Sequence, residues 1–197
     1  EAATKVGKTF SHLFWLYELS HGENPNWYYH SITPGMEFWW VAPIFPQAEI
    51  AFNRLRRKLE PTGQYAINLS KLSITTPLGS IIRFKSADNP DGLFGEDVYG
   101  AVFDEFTRAK QEAWYALRST LTYTNAPCKF IGNYTGYTNW GHKLKANATD
   151  PNGEYEYFNV DAAKAVEAGI LEQKEIDQAR KDLPKPIFEA LYLAKGS

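Results

Sequence analysis

The chain is short of cysteine, of net charge and of long apolar runs, and each shortage narrows what it can be. Cys128 is the single cysteine among 197 residues. That excludes an internal disulfide and a cysteine-rich zinc site, and it fits a reducing compartment. Lys plus Arg number 21 against 23 Asp plus Glu, a formal charge of −2. Such balance excludes a histone-like or tail-like polycation. It leaves room for a local basic groove, because net charge averages over the whole surface. No stretch approaches the roughly 18 apolar residues of a membrane span, and Glu1 to Thr9 lack the basic-then-apolar pattern of a leader peptide. The four histidines, His12, His21, His30 and His142, are scattered without metal-ligand spacing. There is no internal repeat, low-complexity tract or obvious linker.

What is present is a globular composition, 44% hydrophobic and 22% charged, in about one large domain's length. Residues 9–20 read as a helix with Phe10, Leu13, Phe14 and Tyr17 as its apolar stripe, stopped by Gly22. Phe38 to Ala42 reads as a buried strand ended by Pro43. Pro46 then opens a second helix with Ala48, Ala51, Phe52, Leu55 and Leu59 inward. Leu72–Thr75 and Ser80–Phe84 around Pro77-Leu78-Gly79 read as a β-hairpin. Val98–Phe103 is an apolar strand running into Asp104-Glu105. A helix follows over 109–121, then a short strand at Lys129–Gly132 and a helix that Thr138 can cap. Residues 161–182 are helical with a break at Gly169, and Ile187–Leu193 closes as a short helix. Strands alternating with helices predict an α/β fold, a mostly parallel sheet with helices on both faces.

Two short patterns carry chemistry. Ala2 to Thr9 nearly fits the phosphate-loop pattern, with Ala2 where the first glycine would stand. Such a loop before a helix turns backbone N–H groups toward polyphosphate. Lys8 would meet the β- and γ-phosphates, and Thr9 would put its hydroxyl on Mg²⁺. Gly7-Lys8-Thr9 alone is also an ordinary helix start. Asp104 and Glu105 end an apolar strand, at the sheet edge where open α/β folds bind ligands. Asp104 would hold Mg²⁺, and Glu105 would position and deprotonate water. Alone, the pair is also a solvated strand end. In this order, on these elements, the two half-motifs predict a phosphate-loop ATPase.

Trp39-Trp40-Val41-Ala42-Pro43 with a basic helix after it is followed in turn by Gly79–Phe84, Leu93-Phe94-Gly95 and Ala101–Glu105. Phe130–Asn133, Gly136 and Asn139-Trp140 come next. This ordered series resembles the large terminase subunit of tailed bacteriophages, over nearly the whole chain. The resemblance implies a P-loop NTPase of the ASCE, RecA-like class, with ATP and Mg²⁺ as cofactors. It implies ATP hydrolysis that powers packaging of double-stranded viral DNA into a procapsid. The chain divides on this reading into an ATPase core over 1–146, its first strand expected to be missing, and a helical lid or domain end over 147–197. The nuclease domain is expected to be absent. Lys5, Val6, Gly7, Lys8 and Thr9 are implied as ATP contacts, Thr9 and Asp104 as magnesium ligands, and Lys8 and Glu105 as catalytic. Gly132 and Asn133 are implied as the coupling segment, although Asn133 also reads as a turn residue. Implied partners are double-stranded DNA, the portal protein, the small terminase subunit and further copies in a ring, with a monomer in solution and no membrane. The implied place is the host bacterial cytoplasm and, transiently, the procapsid portal.

The departures from the family are specific. Thr4 stands where an Arg is common, with Lys5 beside it, and Phe94 replaces the Arg of a Leu-Arg-Gly triplet. The arginine acting on a neighbouring ATP is therefore open among Arg83, Arg108 and Arg118. Arg54, Arg57 and Lys58, with Arg56, read either as DNA-phosphate contacts or as a solvated helix face. Trp15 and Trp114 read as core, whereas Trp27, Tyr28 and Tyr29 fall in a polar loop where base stacking is open. Two alternatives remain at this stage: another nucleic-acid-stimulated, helicase-like ATPase, or a fragment that folds without hydrolysing ATP. Residues 1–8 are expected to be poorly ordered on the fragment reading.

Overall fold

The computed structural model describes residues 3, 5–23, 31–133, 139–150 and 152–194. Ala2, Thr4, Trp27, Tyr28, Tyr29, His30, Gly136 and Thr138, singled out above, lie outside the described residues. The chain clusters into two compact units, Thr9–Phe130 and Glu1–Lys8 with Ile131–Ser197.

The first unit is built on a sheet in the order β2-β3-β4-β1-β5-β6. The strands are β1 (Glu37–Ala42), β2 (Ala66–Asn68), β3 (Ser73–Thr75), β4 (Ile81–Ser86), β5 (Val98–Asp104) and β6 (Cys128–Ile131). β1 runs parallel to both β4 and β5. β2, β3 and β4 are joined antiparallel, so the expected hairpin is present with an added three-residue strand at its edge. The sheet is thus parallel at its centre, as the sequence predicts.

All six residues of β1 are buried, including Trp39 and Trp40. A continuous apolar run suits this position because a central parallel strand is covered on both faces. On one face lie α1 (Lys8–His21) and α2 (Phe45–Leu59). The α2 contact is Phe52 edge-on to Phe84, 5.5 Å between centroids. α1 reaches the same face at Gly100, where an added Cβ would stand 2.7 Å from Leu19 Cδ1 and 3.3 Å from Phe38. The other face carries α3 (Gln111–Thr120), whose Trp114 meets Phe130 edge-on at 4.8 Å. Phe103 and Phe106 complete that cluster.

One predicted face is corrected. The inward residues of α1 are Leu13, Leu16 and Leu19, while Phe10 and Phe14 are 67% and 54% exposed. α1 carries apolar residues on several sides, so periodicity leaves its rotation open, and Leu19 fills the notch at Gly100. The stripe of α2, from Ala48 to Leu59, is buried as predicted. Trp114 is buried, and Trp15 is half-buried beneath the Lys129 ammonium, 4.6 Å from its ring.

The second unit contains α4 (Gly141–Ala148), α5 (Ala162–Glu167), α6 (Gln173–Asp182) and α7 (Lys185–Tyr192). Ala162, Ile176 and Phe188 gather around the fully buried Ala3, with Val6 packed against them. The Ala3 N–H donates to Val160 O at 2.7 Å. Ala3 is thus buried and joined to the chain before α5, while residues 1, 2 and 4 lie outside the described residues. The helix break falls at Gly169, as predicted, with φ of 69°.

Candidate functional site

In the second unit, the chain before α1 alternates in handedness. Lys5 has φ of 61° and Gly7 has φ of 84°, whereas Val6 between them is not left-handed. Left-handed backbone at alternate residues turns successive N–H groups toward one side, which makes a concave anion-binding nest. α1 begins at the next residue, Lys8, and a helix start leaves its first N–H groups without intrahelical partners. Nothing stands within 4 Å of a Cβ added at Gly7, so its glycine is required by φ and not by crowding. The loop's donor set therefore fits a polyphosphate.

Asn133 lies in the same unit. Its side-chain Nδ2 donates to Ala190 O on α7 at 3.2 Å. Both the loop, through Ala3 and Val6, and Asn133 thus attach to the α7 segment that carries Phe188 and Ala190.

In the first unit, Thr9 stands in the opening turn of α1, and β5 ends at Asp104. Strand alternation places Asp104 with Gly100 and Val102 on the face that α1 covers. Glu105 follows with φ of 45° and ψ of 36°, a left-handed conformation rare for a residue with a side chain. Behind it the buried Phe106 and Thr107 hold a single 3₁₀ turn. Strain of this kind costs about 1–3 kcal/mol and persists only where the surroundings over-determine it. Arg108 Nε lies 3.7 Å from Glu105 Oε2, so the turn also brings a cation to the acid.

The remaining candidates are on other surfaces. Arg54, Arg57 and Lys58 are exposed on α2, while Arg56 pairs with Glu60 at 3.4 Å. Arg118 donates to Thr122 Oγ1 at 3.1 Å. Arg83 is bound to Glu37 through both Nε, 3.1 Å from each carboxylate oxygen, and Nη2. Trp39 Nε1 adds a third donor to the same carboxylate at 2.5 Å. Burial alone raises the Glu37 carboxyl. The bonds from Arg83 and Trp39, with the charges of Arg83 and Lys85, outweigh it and hold Glu37 below the usual carboxylate range. The sequence reading missed this network. Its only sequence signal was an acid directly preceding an apolar strand.

No protein-family model matches the chain. A curated relative, the large terminase subunit of Thermus phage G20c, is 28% identical over 132 residues, 56% of this chain and 27% of that protein. The chain thus spans about a quarter of the curated relative's length. Among solved structures, the ATPase domain of the Thermus phage P74-26 large terminase superposes with a TM-score of 0.76 at 21% identity. That match covers all of this chain and 86% of the other. The HK97 bacteriophage large terminase gives 0.77 at 16% identity, over 98% of this chain and 45% of that one. The large terminase of a thermophilic bacteriophage, in complex with ATP-gamma-S, gives 0.76 at 12% identity over the same shares of the two chains. The fold is that of the large-terminase ATPase domain, a mostly parallel six-stranded sheet with helices on both faces.

Proposed function

We propose that this chain hydrolyses ATP and that hydrolysis drives double-stranded DNA into a procapsid. The observation that carries the reading is the loop of alternating handedness at Lys5 and Gly7, placed directly before α1 in a fold of this class. The curated relative is named a large terminase subunit, and the thermophilic-phage terminase structure holds a nucleotide analogue.

In this reading the backbone of Lys5, Val6 and Gly7 receives the phosphates, and the Lys8 ammonium offsets their charge. Thr9 and Asp104 would hold Mg²⁺, which when bound neutralises charge on the β- and γ-phosphate oxygens. Glu105 orients the attacking water and accepts its proton. Asn133, with Gly132 before it, links the phosphate end of the site to α7 through Ala190. DNA, the portal protein, the small terminase subunit and further copies in a ring are the partners proposed. A monomer in solution is proposed before assembly, in the host cytoplasm, with transient residence at the portal. No helix among the described residues is long and apolar enough to cross a membrane.

The decisive test is Glu105→Gln. ATP should still bind, while turnover falls at least a hundredfold, on the order expected for loss of a general base. Unchanged hydrolysis would overturn the assignment. Lys8→Ala should abolish binding itself, which separates the two roles.

A further inference from the structure

The face of the sheet that carries α3 is only partly covered. Register places Asn68, Ser73, Arg83 and Trp39 on one level of that face. Over β2, β3 and β4 it stays open as two adjoining concavities of about 560 and 320 Å³, which share Lys71 and Arg83. Two of the cations there, Arg83 and Lys85, are held in place. Lys85 Nζ stands 3.8 Å above the centre of the Trp39 ring and donates to Gly92 O at 2.8 Å. Lys71 is exposed and precedes Leu72, which turns the chain with φ of 44°. Glu37 neutralises Arg83 from beneath, and Glu96 opposes the lysines at the rim. The balance of Lys71, Lys85 and Glu96 stays positive.

We infer that this open sheet face takes the phosphodiester backbone of DNA, with Lys71 and Lys85 as its charged contacts. The inference rests on the packaging reading for its choice of polymer, and it locates the contact on the face opposite α2. A nucleic-acid backbone needs charge within reach and neutral donors beside it, and Asn68, Ser73 and Asn89 supply the neutral side chains. A trough open to solvent admits a passing polymer, whereas a small anion would be better held by an enclosed pocket. An acidic peptide would favour a long free strand edge to pair with, and β2 offers only three residues.

The test measures anisotropy of a labelled duplex from about 50 to 200 mM salt. Lys71→Glu should weaken binding about tenfold, and Lys71→Ala should lower the salt slope by about one. Lys71 is exposed, so these variants keep the fold. Lys85→Gln, which alters the Trp39 contact, serves as a second reading checked by its melting profile. Affinity and slope equal to wild type in all three would overturn the inference. So would displacement of the duplex by poly-glutamate at equal charge concentration, or by inorganic phosphate at millimolar levels. Loss of DNA binding in Arg54→Ala with none in Lys71→Glu would return the contact to α2. If the wild-type protein binds DNA through Lys71 but Glu105→Gln leaves hydrolysis unchanged, the groove stands and the motor reading falls.

Discussion

Trp39 and Arg83 are paired neighbours on adjacent parallel strands, and both bind the carboxylate of Glu37. An acid at the start of a central strand is thereby satisfied without water. Burying a carboxylate with one partner missing is costly, whereas three donors from two side chains offset the desolvation.

This arrangement sets a pH dependence. A carboxyl depressed in the folded chain contributes stability that is full above its unfolded value, here near 4.5, and that is lost as pH falls through the folded value. Glu37→Gln should cost about 2 kcal/mol near neutrality. The gap between the two proteins should then close as the pH drops below 4.5, the ordinary value. Urea midpoints measured at several pH values check this. A gap constant with pH would mean that the ion pair contributes nothing beyond packing.

Glu105→Gly separates chemistry from strain. Relief of a left-handed conformation returns about 1–2 kcal/mol, against about 0.5–1 kcal/mol for the added chain entropy of glycine. The variant should be at least as stable as wild type by denaturant titration, yet catalytically silent. A clear loss of stability would show that the turn imposes no strain at this residue.

Gly79→Ala should be among the costlier single-methyl changes. Gly79 has φ of 82°, and an added Cβ would stand 2.8 Å from Pro34 Cβ and 3.0 Å from its Cα. Its carbonyl also accepts from Gly35 N–H at 2.8 Å. The expected loss is about 2 kcal/mol, read as a lower thermal midpoint.

Asn133→Ala removes the bond to Ala190 O. The expected cost is about 1 kcal/mol. Amide exchange in the last turn of α7 should speed up about fivefold, with α5 unchanged. Equal exchange in α7 would show that Phe188 and its neighbours hold the helix alone.

Sequence reasoning succeeded where chemistry and periodicity agreed locally. The apolar run from Val98 specified a strand, and β5 ends at Asp104 where that run ends. It failed where tertiary pairing decides. The Arg83–Glu37 bond joins residues 46 apart, and it exists because β1 and β4 align in one parallel register. A sequence shows an arginine in a hairpin strand and an acid before an apolar one, with nothing to join them. The rotation of α1 was illegible for a related reason. A helix apolar on several sides takes its orientation from the floor it meets, here the missing side chain of Gly100. The left-handed Glu105 was equally hidden, because backbone strain leaves no compositional trace.

The stacking of Lys85 on Trp39 also gives the groove an optical consequence. Trp39 is fully buried, yet a cation that lines the groove rests 3.8 Å from its ring centre. A ligand that draws the ammonium away changes the field on that indole. If the sheet face takes a ligand, its occupancy should therefore register in the emission of Trp39, without a label.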